Sequence, residues 1–112
     1  KLVVTHPEWW VVDMSMEDQK KIVKDYDVLL ERCYAQNMGG GKYKSNLPEN
    51  FEVIKEVGYK NVLISTDGGQ TENPNWEIAM QEYLQYLSDH GIPDEQIYYM
   101  SHTLAAGLLG IE

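Results

Sequence analysis

Two residues in this chain pair reactive chemistry with a position that can expose it: His6 and Asp67. Each closes a short β-branched and aliphatic run. Leu2-Val3-Val4-Thr5 leads into His6-Pro7, and Asn61-Val62-Leu63-Ile64-Ser65-Thr66 leads into Asp67-Gly68-Gly69-Gln70. An imidazole and a carboxylate at neighbouring strand tips can bind a divalent cation such as zinc, and the cation draws the pKa of a bound water toward neutrality. The same pair can work without metal, with Asp67 orienting His6 as a general base. The plainer reading is that a strand-end His or Asp only caps a turn or a helix, so the case depends on what brings the two together.

The other reactive side chains are weaker candidates. Cys33 reads as a small buried hydrophobe, since nothing adjacent in sequence lowers a thiol pKa. His90 precedes Gly91 and suits a helix C-terminus, and His102 reads as helix surface or packing. Gly39-Gly40-Gly41-Lys42 lacks the G-x-x-x-x-G-K-[ST] spacing of a phosphate loop and reads as a flexible loop. Trp9 and Trp10 beside His6 can either line a pocket mouth or pack beneath a loop.

The elements that must position these residues follow from local pattern. Pro7 cannot donate to a ladder, so the first strand ends at His6. Ser15 with Asp18 gives a capping-box-like helix start, and Met16, Ile22, Val23 and Tyr26 can share that helix's inner face. A second strand begins at Val28 and runs through Cys33 to Tyr34 or Ala35. A loop is expected from Asn37 to Ser45. Asn46 caps a second helix with Pro48 in its first turn and Phe51, Ile54 and Val57 on one face, until Gly58 ends it. After the third strand, Trp76, Met80, Tyr83, Leu84 and Leu87 mark a long amphipathic helix that Gly91 terminates. A last helix runs from about Pro93 to Gly110.

Strands that alternate with helices pair in parallel through right-handed crossovers. The fold class is therefore α/β, with three parallel β/α units and a C-terminal helix. Parallel order gathers all three strand C-termini at one edge, which collects His6, the segment from Glu31 to Tyr34, and Asp67. That is the edge where open α/β sheets and β/α barrels bind ligands.

Composition narrows the partners. Residues 1–112 suffice for one α/β domain and not two. Eighteen acidic residues against 9 basic ones, a net charge of -9, argue against nucleic acid and anionic membranes, which reward clustered Lys and Arg. A single cysteine excludes an internal disulfide framework and suits a reducing, cytoplasmic setting. No apolar run approaches the roughly 20 residues of a membrane span. The chain enters its first strand almost at Lys1, so upstream residues are expected in a parent protein.

Several of these segments together resemble a family of amidohydrolase-like proteins. They are Val3-Val4-Thr5-His6-Pro7-Glu8, Val11-Val12-Asp13-Met14-Ser15-Met16-Glu17-Asp18-Gln19, Glu31-Arg32-Cys33-Tyr34 and Leu63-Ile64-Ser65-Thr66-Asp67-Gly68-Gly69-Gln70. Leu104-Ala105-Ala106-Gly107-Leu108-Leu109-Gly110-Ile111 is likewise similar to the closing helix of amidohydrolase barrels. The resemblance implies the last strands of a TIM-type barrel, with His6 ending the sixth strand as a metal or substrate ligand. Asp67 would end the eighth, touching metal and taking a proton from the attacking water. Glu31 or Cys33 on the seventh strand would face the barrel interior, which of the two being open, and Gln70 and Glu31 are candidate substrate contacts.

Two departures accompany the resemblance. Ser101-His102 stands where the closing helix usually begins with Asn-Pro, and the first-strand His-x-His pair and middle-strand ligands are absent. A whole barrel takes about 200 residues or more. The expectation is therefore a C-terminal fragment of a metal-dependent hydrolase, zinc being the first choice of metal. It would act on a C–N or similar bond of a small molecule, and would self-associate or pair with the missing barrel portion. The alternative is a non-catalytic α/β module or interaction subunit built on a barrel scaffold.

Overall fold

Six consecutive residues, Val28–Cys33, form the middle strand of the sheet, and the rest of the chain is arranged around it. The computed structural model describes residues 1–9, 11–37 and 43–111. In chain order these form β1 (Leu2–Thr5), α1 (Met16–Asp25), β2 (Val28–Cys33), β3 (Ala35–Asn37), β4 (Tyr43–Ser45), α2 (Leu47–Val57), β5 (Val62–Ser65), α3 (Trp76–Asp89), α4 (Asp94–Tyr98) and α5 (Leu104–Leu109). Trp10 and the Gly39-Gly40-Gly41-Lys42 run lie outside the described residues.

β1, β2 and β5 make one open parallel sheet in that order, as alternation with helices predicts. The register runs Thr5↔Glu31 and Cys33↔Ser65, so β2 is paired on both sides. Strand side chains alternate between faces. Leu30, Val62 and Ile64 meet Val53 and Ile54 of α2, Tyr83 and Leu87 of α3, and Met100 in one apolar core. Thr5, Glu31, Cys33 and Ser65 belong to the opposite face, and two side-chain contacts across the register reflect it. Thr5 donates to Glu31 at 2.8 Å, and Ser65 Oγ donates to Cys33 Sγ at 3.4 Å. Glu31 and Cys33 thus share a face instead of competing for one, as residues two apart on a strand must.

α1 begins as the Ser15 pattern predicts, with the serine hydroxyl accepting from the Asp18 amide at 3.1 Å. Met16, Ile22 and Val23 pack on the core, but Tyr26 falls just beyond the helix and is exposed. Trp76 in the first turn of α3 is also exposed, whereas Ala79, Tyr83 and Leu87 of the same helix are buried.

The expected loop from Asn37 to Ser45 is corrected at both ends. Ala35–Asn37 and Tyr43–Ser45 pair antiparallel, with Gln36 opposite Lys44. The last helix is not uniform either. A π-helical stretch, Tyr99–Thr103, joins α4 to α5 and holds Met100 fully buried. No helix among the described residues is long and apolar enough to cross a membrane.

Candidate functional site

The carboxyl ends of β1, β2 and β5 form a rim that carries every predicted site residue. Adjacent strands lie about 4.8 Å apart, so the tips of β1 and β5 are roughly 10 Å apart, with β2 between them. His6 follows directly on Thr5, and its amide donates to the Glu31 carbonyl at 3.0 Å, extending the pairing of β1 with β2 by one step. Asp67 lies two residues past Ser65, so it stands farther along the strand direction than His6. The two border the rim at a stagger.

Both residues hold unusual backbone. Among the described residues only His6 (φ 37°), Asp13 (φ 48°) and Asp67 (φ 49°) are non-glycine residues with positive φ. Asp and His enter this region more readily than most residues, but the conformation is still costly and persists only where surrounding contacts impose it. Around His6 those contacts are visible. Trp9 donates its amide to the His6 carbonyl at 3.0 Å, the Met14 amide donates to the Pro7 carbonyl at 2.9 Å, and Pro7 is fully buried. The Trp9 ring meets the imidazole edge-on, with centroids 4.9 Å apart.

The imidazole Nδ1 of His6 is buried without a hydrogen-bond partner. Asp67 therefore does not orient His6 through that nitrogen, and the metal-free dyad is not formed there. An unpartnered, buried Nδ1 has the character of a ligand atom. Yet among the described residues no group of three or more His, Cys, Asp or Glu is placed to hold a metal ion.

Asp67 is exposed, and Gln70 leans toward its carboxylate, Nε2 to Oδ1 at 3.4 Å. Asn73 braces the same loop, donating to the Asp67 carbonyl at 3.0 Å and to Gln70 Oε1 at 2.7 Å. Gln70 thus has a role in shaping the loop that bears Asp67. Gly68 fits against Trp76 and Thr66 closely enough that a Cβ there would come within 3.3 Å of the Thr66 hydroxyl.

Cys33 behaves as a buried thiol should. Burial pushes its pKa from 9.0 up to about 12, the Ser65 hydroxyl opposes the rise, and Glu31, Glu8 and Asp67 add to it through their negative charge.

A polar cluster beneath the rim escaped the sequence reading. Arg32, 1% exposed, extends from the helix-covered face of β2. Its Nη1 donates to Glu8 Oε2 at 2.9 Å and to Gln19 Oε1 at 3.1 Å, while its Nε donates to Asn50 Oδ1 at 2.8 Å. Asn50 Nδ2 donates to the Cys33 carbonyl at 2.8 Å, and Gln19 Nε2 to the Met14 carbonyl at 2.9 Å. Asn46 stands at the start of α2 as expected but makes no capping bond with its side chain, which donates instead to Glu8 Oε1 at 2.9 Å. A groove of about 610 Å³ between α1, α2 and α3 passes over this cluster and leaves Glu8 its slight exposure. The sequence signal available was one cationic residue inside the run Val28–Cys33, where the pleat allows a charge only if something pays its desolvation.

Against models of protein families, curated proteins and solved structures, the chain gives no match.

Proposed function

We propose that this chain is the sheet-edge portion of a small-molecule hydrolase of amidohydrolase type, acting on a C–N or similar bond, with its reacting residues at the rim of β1, β2 and β5. One observation carries the reading. His6 and Asp67 terminate parallel strands on either side of β2, and both are held in left-handed backbone. Conformations of that kind cost about 1–3 kcal/mol each and collect where function needs a side chain aimed.

In this reading the exposed carboxylate of Asp67 takes the proton of an attacking water. The His6 imidazole polarises the bond under attack, and Glu31 and Gln70 contact the substrate. Zinc belongs to the same proposal, but two protein groups hold a cation weakly, so its remaining ligands come from other strands of a larger TIM-type barrel. The single cysteine suits a cytoplasmic protein.

The test is hydrolysis of a panel of amides, ureas and cyclic amides by the longest natural form of the protein, with and without added zinc. Asp67→Asn is expected to lower the rate about 10²–10⁴-fold, the usual contribution of a positioned base. Full activity in that variant refutes the assignment.

A second reading, an interaction module on a barrel scaffold, draws on the exposed apolar side chains. Leu2, Val11, Leu109 and Ile111 are all more than half exposed, and among the described residues β1 and β5 are each paired on one side only. Light scattering across a concentration series tests it: a monomer at all concentrations counts against the module, and equally against a missing barrel portion.

A further inference from the structure

We propose that Glu8 and Arg32 are positioning residues for His6, their buried ion pair acting as a post that keeps the turn after β1 in left-handed backbone. The inference rests on His6 being a site residue as proposed above, but its test needs no activity.

His6 is followed by Pro7 and Glu8, and both are anchored: Pro7 is fully buried, and the Glu8 carboxylate is held at each oxygen, Oε2 by Arg32 and Oε1 by Asn46, both at 2.9 Å. Arg32 is fixed in turn by Asn50 and Gln19, so the post rests on α1 and α2 as well as β2. On the other side, His6 is tied through its own amide to the Glu31 carbonyl at 3.0 Å. With Glu31 and Glu8 both fixed, the chain has two residues in which to leave the strand and drop to the helix-covered face. The φ of 37° at His6 is how it makes that turn. Pro7 cannot share the burden, because its ring fixes φ near -65°. The strain therefore falls on His6, and the imidazole follows its backbone toward the Trp9 ring.

A burial role alone would make Glu8 interchangeable with any residue that fills its space. A positioning role makes the geometry at His6 depend on the Glu8 charge. The readout is the intraresidue amide-to-Hα nuclear Overhauser effect in isotope-labelled protein, which is strong at positive φ and weak at negative φ. Asp67, at φ 49° on the far side of the rim, supplies an internal control in the same spectrum.

Glu8→Gln is expected to weaken this signal several-fold at His6, together with the His6–Trp9 ring contacts, and to leave it unchanged at Asp67. Asn46→Ala, which spares the Arg32 pair, should weaken it less. An unchanged His6 signal in folded Glu8→Gln overturns the proposal. Equal losses at His6 and Asp67 in both variants also overturn it, since they mean general loosening. Loss at His6 alone with full activity retained in His6→Asn would uphold the post while removing His6 from the reaction.

Discussion

Arg32→Met tests the buried cluster most directly, because methionine keeps most of the aliphatic stem and removes only the charge and its donors. The side chains of Arg32 and Glu8 are 1% and 9% exposed, so solvent screening of the pair is slight. Removing the cation leaves the Glu8 carboxylate in that environment with Asn46 as its one remaining donor among the contacts described, and leaves Gln19 Oε1 and Asn50 Oδ1 without the bonds they accept at 3.1 and 2.8 Å. Stranding one member of a buried pair typically costs about 3–5 kcal/mol. Each orphaned acceptor adds about 1–3 kcal/mol where the amide cannot turn to another donor. Rotation of Gln19 toward the groove offsets part of this, so about 4 kcal/mol is the expected net loss, out of the roughly 5–15 kcal/mol that holds a domain together. With a urea slope of about 2 kcal/mol/M, the unfolding midpoint should fall by about 2 M, read by circular dichroism. Arg32→Met combined with Glu8→Leu should recover much of the loss, because replacing both partners by apolar groups removes the stranded charge. A single variant within about 1 kcal/mol of the parent would refute the view that this pair is desolvated and needed.

Cys33 should resist iodoacetamide at pH 8 in the folded protein and react on unfolding in urea, since its pKa of about 12 leaves the thiol protonated. Because that folded pKa lies above the ordinary 9.0, the folded state holds a proton that the unfolded state gives up between pH 9.0 and about 12. Stability therefore falls as pH rises through that window. Tyr83 acts in the same direction above pH 10.0, its pKa raised by complete burial, so Tyr83→Phe should make the alkaline decline shallower when urea midpoints are compared across pH. Ser15→Ala, which deletes the 3.1 Å cap on the Asp18 amide, should cost about 1 kcal/mol in the same assay.

The sheet was legible in the sequence because its signals were local. Leu2–Thr5 and Val62–Ser65 are short β-branched or aliphatic runs closed by Pro7 and by Gly68-Gly69, and Ser15 with Asp18 marks a helix start within four residues. Parallel order then followed from the alternation of strands with helices, and with it the placement of His6, Glu31 and Asp67 on one edge. What was not legible had no local signature. The β3–β4 pairing consists of three short matches, Ala35↔Ser45, Gln36↔Lys44 and Asn37↔Tyr43, with little alternation to mark a strand. The π-helical stretch from Tyr99, which holds Met100 fully buried, has the same residue types as an α-helix.

Asn46 shows why the polar cluster was invisible from sequence. By position it is a helix cap, and nothing in its sequence neighbourhood registers a carboxylate that lies 38 residues earlier and accepts from its Nδ2. Once Glu8 is drawn beneath the rim by Arg32, the Asn46 side chain satisfies that buried oxygen and the helix start goes without its side-chain cap. The bond to Glu8 uses Nδ2, while Oδ1, the atom a cap would use, lies 3.5 Å from the Asn50 Nδ2 donor. Arg32 in the middle strand of the sheet obeys the rule that a buried charge needs partners. A cation there is tolerated because Glu8, Gln19 and Asn50 all meet it, and the strand that carries Arg32 toward the helices carries Glu31 and Cys33 on the opposite face. The residues that face the candidate site and those that hold it in place are therefore alternate residues of one strand, which ties the geometry of the rim to the integrity of the cluster below it.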